Sequence, residues 1–237
     1  MIEFEQHDSY ETLSRHAADV IYDALLRKPD LLLCAATGAT PTRTYQLFTE
    51  KYNASPRAFD SLRVLKLDEW MGLQKDDDGS CERYLQRQLL APLHVAAERY
   101  EGFDAAASDP AAECARIQQW LTAHGPIDLC LLGIGTNGHI ALNEPARTLQ
   151  PRAHVATLAH TTRHHPMLAA APIEPTHGFT LGVAEIMAAS HILLLISGGT
   201  KRAVLRRLRE REITPEFPAS LLWQHGKCTV LCDADAD

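Results

Sequence analysis

Four stretches of the chain gather side chains that can move protons or hold an anion. The densest is Gly133-Ile134-Gly135-Thr136-Asn137-Gly138-His139-Ile140-Ala141-Leu142-Asn143-Glu144-Pro145. Its glycines would let backbone come close to a ligand, and His139 has an amide and a carboxylate as near neighbours. Leu67-Asp68-Glu69-Trp70 sets two carboxylates and an indole just past an apolar run. Such carboxylates often only cap a helix, but here no helix is expected until about Ser80, so capping explains them poorly. Thr37-Gly38-Ala39-Thr40 and Ser197-Gly198-Gly199-Thr200-Lys201 read as strand-to-helix turns. Free N–H groups and the helix dipole favour an anion at such turns, and the second adds a cation. Each turn alone could be merely steric. Together the four offer a carboxylate base, a histidine with polar neighbours, an anion site and a lysine, a set suited to proton shuttling on a phosphorylated sugar.

Gly133, Gly135 and Gly138 also match the G-x-G-x-x-G spacing of a dinucleotide fingerprint. The context speaks against it. That fingerprint opens a long helix, whereas Pro145 follows soon after Gly138, and the acidic ribose-binding strand end is missing. Nucleotide binding is excluded on this ground.

Positioning these stretches requires strands that end beside one another. Helical and strand-like patterns alternate along the chain, which predicts an α/β fold whose mostly parallel sheet is covered on both faces. Leu31 to Ala36 is an uninterrupted apolar run, as a doubly buried strand should be. Further strands are expected at Leu62 to Leu67, Ile127 to Leu132, His191 to Ile196 and Cys228 to Cys232. Helices are expected at Cys81 to Leu90, Pro110 to Ala123 and Thr200 to Arg211. Asp8 with Glu11 resembles a capping box opening a first helix that ends near Lys28-Pro29. Pro41 suits the first turn of the helix after Gly38. No repeat or linker interrupts residues 1–237, so a single domain is expected. In an open sheet of this kind, ligands bind beyond the carboxyl ends of the strands, where the four stretches would lie.

Composition narrows the partners. The 237 residues are 46% apolar and 22% charged, with a net charge of −7 and no basic run, so nucleic acid is not an expected partner. The apolar runs are too short to span a bilayer, and the start of the chain has no signal-peptide pattern. Six cysteines without a CxxC pair make a disulfide framework improbable and fit a cytoplasmic location. His160, His164 and His165 could present two imidazoles on one helical face, but no carboxylate or cysteine completes a metal set, so no metal is expected.

Over nearly its whole length the sequence resembles the glucosamine/galactosamine-6-phosphate isomerase (deaminase) family. The carriers are ATGATP (36–41), KLDEWMGL (66–73), LGIGTNGHIALNEP (132–145), HTTR (160–163), LGVAEIMAA (181–189) and SGGTK (197–201). CAATGATP, NEPARTLQP and PASLLW are most similar to the galactosamine-6-phosphate branch. The resemblance implies a Rossmann-like three-layer α/β/α fold and a reaction without metal or cofactor. It implies a small-molecule sugar phosphate as partner and leaves self-association open. It casts Asp68 as the base that moves a proton between C2 and C1 of the open-chain sugar, and His139 as the group assisting ring opening, flanked by Glu144 and Asn137. It assigns the 6-phosphate to Gly38, Ala39 and Thr40 with Arg163 and Lys201. The chain departs from the family at Asn137, where most glucosamine-6-phosphate deaminases have Asp; an amide can orient the imidazole but adds no charge. The alternatives are a 6-phosphogluconolactonase, which shares the fold but is expected to read DGHTASLFP where this chain has NGHIALNEP, and a sugar-phosphate-binding paralogue without turnover.

Overall fold

The computed structural model describes residues 2–237. The chain runs β1 (Ile2–His7), α1 (Tyr10–Arg27), β2 (Leu32–Ala35), α2 (Ala39–Ala54), β3 (Arg63–Lys66), β4 (Asp68–Trp70), α3 (Cys81–Leu85), β5 (Tyr100–Glu101) and α4 (Pro110–His124). It continues through β6 (Leu129–Leu132), β7 (His154–Thr157), α5 (His160–Arg163), β8 (His177–Thr180), α6 (Val183–Met187), β9 (His191–Ile196), α7 (Arg202–Arg209) and β10 (Cys228–Asp233). The large sheet has seven strands in the order β1-β10-β9-β6-β2-β3-β5, every pair parallel.

Strand alternation assigns the two faces. Leu33, Ala35, Val64, Leu131 and Leu193 pack against α1 and α2 through Leu13, Ile21, Tyr45 and Phe48. Leu32, Cys34, Cys130, Leu132 and Leu194 face the other way, toward Ile117 of α4, Ile186 of α6 and Leu205 of α7. Burial on both faces is why these strands read as unbroken apolar runs rather than alternating ones. The architecture is a Rossmann-like α/β/α sandwich. All six cysteines are buried and free, acting as small core side chains. No described helix is long and apolar enough to cross a membrane.

Several local readings change. Ser9, not Asp8, caps α1, accepting from Thr12 N while the Thr12 hydroxyl receives the Ser9 N–H. The helix expected over Cys81 to Leu90 is α-helical only to Leu85 and then widens into a π-helical turn, Gln86–Leu90. The Thr200 to Arg211 helix begins as a 3₁₀ turn at Gly199–Lys201 and ends as α7 at Arg209. The strand β1 and a second, antiparallel sheet in the order β4-β8-β7 were not foreseen. That small sheet matters to the site. The chain leaves the large sheet at Leu67, whose N–H still donates to Ala35 O while its carbonyl accepts from Leu181 N. Asp68 therefore stands where the backbone changes sheets.

Candidate active site

From β2 the chain first builds outward through β3 to β5, then returns to place β6 on the opposite side of β2. The strand order reverses at this point, and the crevice beyond the carboxyl ends of β2 and β6 is where an open α/β sheet binds ligands. A cavity of about 470 Å³ lies there. Its lining includes Thr37 to Pro41, Asp68, Trp70, Gly133 to Thr136, His139, Thr162, His165, Ser197 and Lys201. All four stretches singled out by residue type contribute to it.

Asp68 is 9% exposed. Burial, reinforced by the neighbouring Glu69 carboxylate, pushes its pKa up to about 7, against the opposing pull of Cys81 and Lys66. The Cys81 thiol donates to Asp68 Oδ1 at 3.8 Å and itself receives the Thr37 hydroxyl at 3.2 Å. A carboxylate with a pKa near neutrality is matched to taking a proton from a weak carbon acid and giving it back.

Glu69 does a different job. Its carboxylate accepts from Trp70 N, Cys81 N and Glu82 N at 2.8–2.9 Å and pairs with Lys66 Nζ at 2.8 Å. Ser80 is the N-cap of α3, accepting from Arg83 N at 3.0 Å, and Glu69, twelve positions before Cys81, supplements it by taking the first two N–H groups of the helix. Capping explains this carboxylate after all, and the sequence distance hid it. Lys66 also reaches Glu82 at 2.9 Å. Burial opposes the Lys66 charge, but the two glutamates hold its pKa above the ordinary value.

The glycine-rich loop is shaped by its own side chains more than by an approaching ligand. A Cβ on Gly135 would fall 2.4–2.6 Å from the His139 ring, and one on Gly138 would fall 2.1 Å from Phe217. His139 Nδ1 faces Glu144 Oε2 at 3.3 Å and the Thr162 hydroxyl at 3.4 Å. Burial would raise the Glu144 pKa, yet His139, Thr162 and Asn137 together hold it down at about 2. An ionised Glu144 favours the proton on Nδ1 and leaves the Nε2 lone pair free. Asn137 is not the ring's partner. Its amide NH₂ donates to Glu144 Oε2 at 2.8 Å, and its Oδ1 accepts the His139 backbone N–H at 3.1 Å. The amide at 137 thus steadies a carboxylate that already serves the imidazole.

The third corner is cationic. Gly38 caps α2 with no side-chain acceptor on the helix N-terminus. Lys201 donates to Ile134 O at 2.6 Å, and burial alone lowers its pKa. No described carboxylate pairs with it. Asp233 fixes the turn before it, accepting from the Ser197 hydroxyl and from Gly198 N at 3.0 Å. Arg163 is not brought to this corner: it does not line the cavity, and its guanidinium pairs with Glu174 at 2.7 Å. His160 and His164 sit ring to ring at 4.3 Å without gathering a third ligand. Residue-type reasoning missed Cys81, which carried no signal beyond its place after Ser80, and His165, which lies in the polar run beside Arg163.

The family of glucosamine-6-phosphate isomerases/6-phosphogluconolactonase matches residues 5–231. A glucosamine-6-phosphate deaminase of Bacillus pumilus is 38% identical, covering 100% of this chain and 98% of the relative. The putative deaminase AgaI of Escherichia coli K12 is 36% identical over 94% of this chain and 88% of its own. A solved monomeric glucosamine-6-phosphate deaminase superposes with a TM-score of 0.92 at 35% identity, over 99% of this chain and 98% of that one. The 6-phosphogluconolactonase of Trypanosoma brucei, at 19% identity and a TM-score of 0.80, shares the fold. The chain belongs to the glucosamine-6-phosphate isomerase/6-phosphogluconolactonase family.

Proposed function

We propose that the chain converts a hexosamine 6-phosphate, galactosamine or glucosamine, into the corresponding ketose 6-phosphate, tagatose or fructose, and ammonia. The observation that carries this reading is the buried Asp68 carboxylate, with its pKa near 7, facing the same cavity as His139 and the cationic corner. His139 Nε2 takes the anomeric hydroxyl proton and returns it to the ring oxygen, opening the sugar. Asp68 then removes the C2 proton and delivers it to C1 while one proton of the C2 ammonium passes to O1, so that the aldehyde becomes a hydroxymethyl group and the ammonium an iminium. Water adds at C2 and ammonia leaves, giving the ketone. The N–H groups at Gly38, Ala39 and Thr40 and the Lys201 ammonium hold the phosphate at the far end, so that binding energy there fixes the reacting carbons against Asp68.

Lactone hydrolysis is the second reading, because the fold serves it too. A carboxylate tuned to carry a proton between adjacent carbons is not something ester hydrolysis needs. The relatives that match at 34–38% identity are named as deaminases, whereas the lactonases match at 14–21%. Purified protein given each hexosamine 6-phosphate and 6-phosphogluconolactone separates the readings. Ammonia and ketose appearing in equal amounts support deamination; lactone hydrolysis without ammonia overturns it. The non-phosphorylated amino sugar should be a very poor substrate.

A further inference from the structure

We propose that His165 is a phosphate ligand of this site, donating its Nε2–H to the substrate's phosphate and so completing the cationic corner that Arg163 does not reach. This rests on the reading of the cavity as a sugar-phosphate site. Three observations converge on it. The ring lies against the anion-binding turn: a Cβ on Gly38 would be 3.6 Å from His165 Cε1 and 3.9 Å from Nε2. The tautomer is set from behind, since Nδ1 accepts the Met167 backbone N–H at 3.2 Å and must keep its lone pair. The remaining ring proton then sits on Nε2, the nitrogen nearer Gly38. Finally, His165 lines the same cavity as Lys201 and the N-terminus of α2.

Electrostatics agree with this placement. Burial, followed by His139 and Lys201, lowers the His165 pKa, which favours the neutral ring in the unliganded site. Among the described residues, no carboxylate pairs with any of three donor groups there: the α2 N-terminus, Lys201 and the imidazole. A dianion supplies the missing charge and accepts the Nε2–H of the neutral ring. The ring also leans toward Trp70, with centroids 6.1 Å apart, and heads the 3₁₀ turn Pro166–Leu168. A phosphate held by His165 would therefore pin the segment that walls the cavity on this side.

The test uses inorganic phosphate and glucose 6-phosphate as probes, so that it does not depend on turnover. By calorimetry on the whole chain, His165→Ala should weaken both by about tenfold. KM for hexosamine 6-phosphate should rise in parallel while kcat stays within about threefold. His165→Gln, whose amide can reach the Nε2 position, should recover most of the loss, and His164→Ala should change nothing. In the unaltered protein, the imidazole ¹⁵N resonances of His165 should shift on titration with phosphate. Unchanged phosphate affinity in His165→Ala, a Gln variant as weak as Ala, or static His165 resonances at saturating phosphate would each overturn the assignment. If no amino sugar is deaminated but phosphate binding still depends on His165, the function proposed above fails and this inference stands.

Discussion

Asp68 and Asn137 show how a single side chain's setting decides what it can do. Burial holds the Asp68 pKa at about 7, so in the free protein the base proposed here is half protonated near neutrality and lost below it. The acidic limb of kcat/KM should accordingly fall close to pH 7, well above that of an ordinary exposed carboxylate. A pH–rate profile flat from pH 8 down to pH 5 would remove Asp68 from the proton-transfer step. At position 137 the geometry reverses the natural guess. Replacing Asn137 with Asp puts a second carboxylate where an amide now donates to Glu144 at 2.8 Å. Like charges at that distance raise the pKa of one partner, and a carboxylate whose folded pKa is raised loses stability as pH rises. Asn137→Asp should therefore cost about 1–2 kcal/mol of stability at pH 8 and less at pH 5. Denaturant melts at the two pH values measure this, and an equal or greater loss at pH 5 would contradict the contact.

At the scale of elements, the site is assembled by a strand that changes sheets and by a short wall segment. Glu69 ties the first of these to α3 through three backbone N–H groups and Lys66. Glu69→Ala leaves those donors and a buried ammonium short of a partner, and should destabilise the protein by about 3 kcal/mol; a melting temperature within a degree or two of the parent would show that the cap is dispensable. The wall runs over residues 160–171, where Thr161, Thr162, His165 and Pro166 line the cavity. Amide exchange in this segment should slow on adding glucose 6-phosphate if it orders over the ligand; unchanged exchange at saturation would make it a fixed wall. The strands β2, β3, β6, β9 and β10 were legible because burial on both faces leaves an unbroken apolar signature. The small sheet was not. β4 has only Asp68, Glu69 and Trp70, and its pairing with Phe179 and Thr180 lies more than a hundred residues away. The site's residue types were readable at the strand ends, but their partners were not: Glu69 caps across a loop, Arg163 turns to Glu174, and Cys81 and His165 act only through the folded contacts.

For the whole molecule, the proposed catalytic arrangement carries a cost in stability. Because the folded Asp68 binds its proton more tightly than the unfolded residue (pKa about 7 against 3.8), its contribution is fully present near pH 4. It fades as pH climbs from about 4 through 7 and is gone above that. Asp68→Asn should thus melt higher than the parent at pH 8, by on the order of 1–3 kcal/mol, with little difference at pH 4. A variant less stable at both values would mean that burial does not penalise the charge. The same substitution tests the account most directly through kinetics. With hexosamine 6-phosphate as substrate, Asp68→Asn should lower kcat by roughly a hundredfold or more. Its calorimetric affinity for glucose 6-phosphate, which cannot lose ammonia, should stay within about threefold of the parent, since the phosphate is gripped elsewhere in the cavity. A variant that releases ammonia at the parent's rate would contradict the assignment of Asp68 as the carrier of the C2 proton.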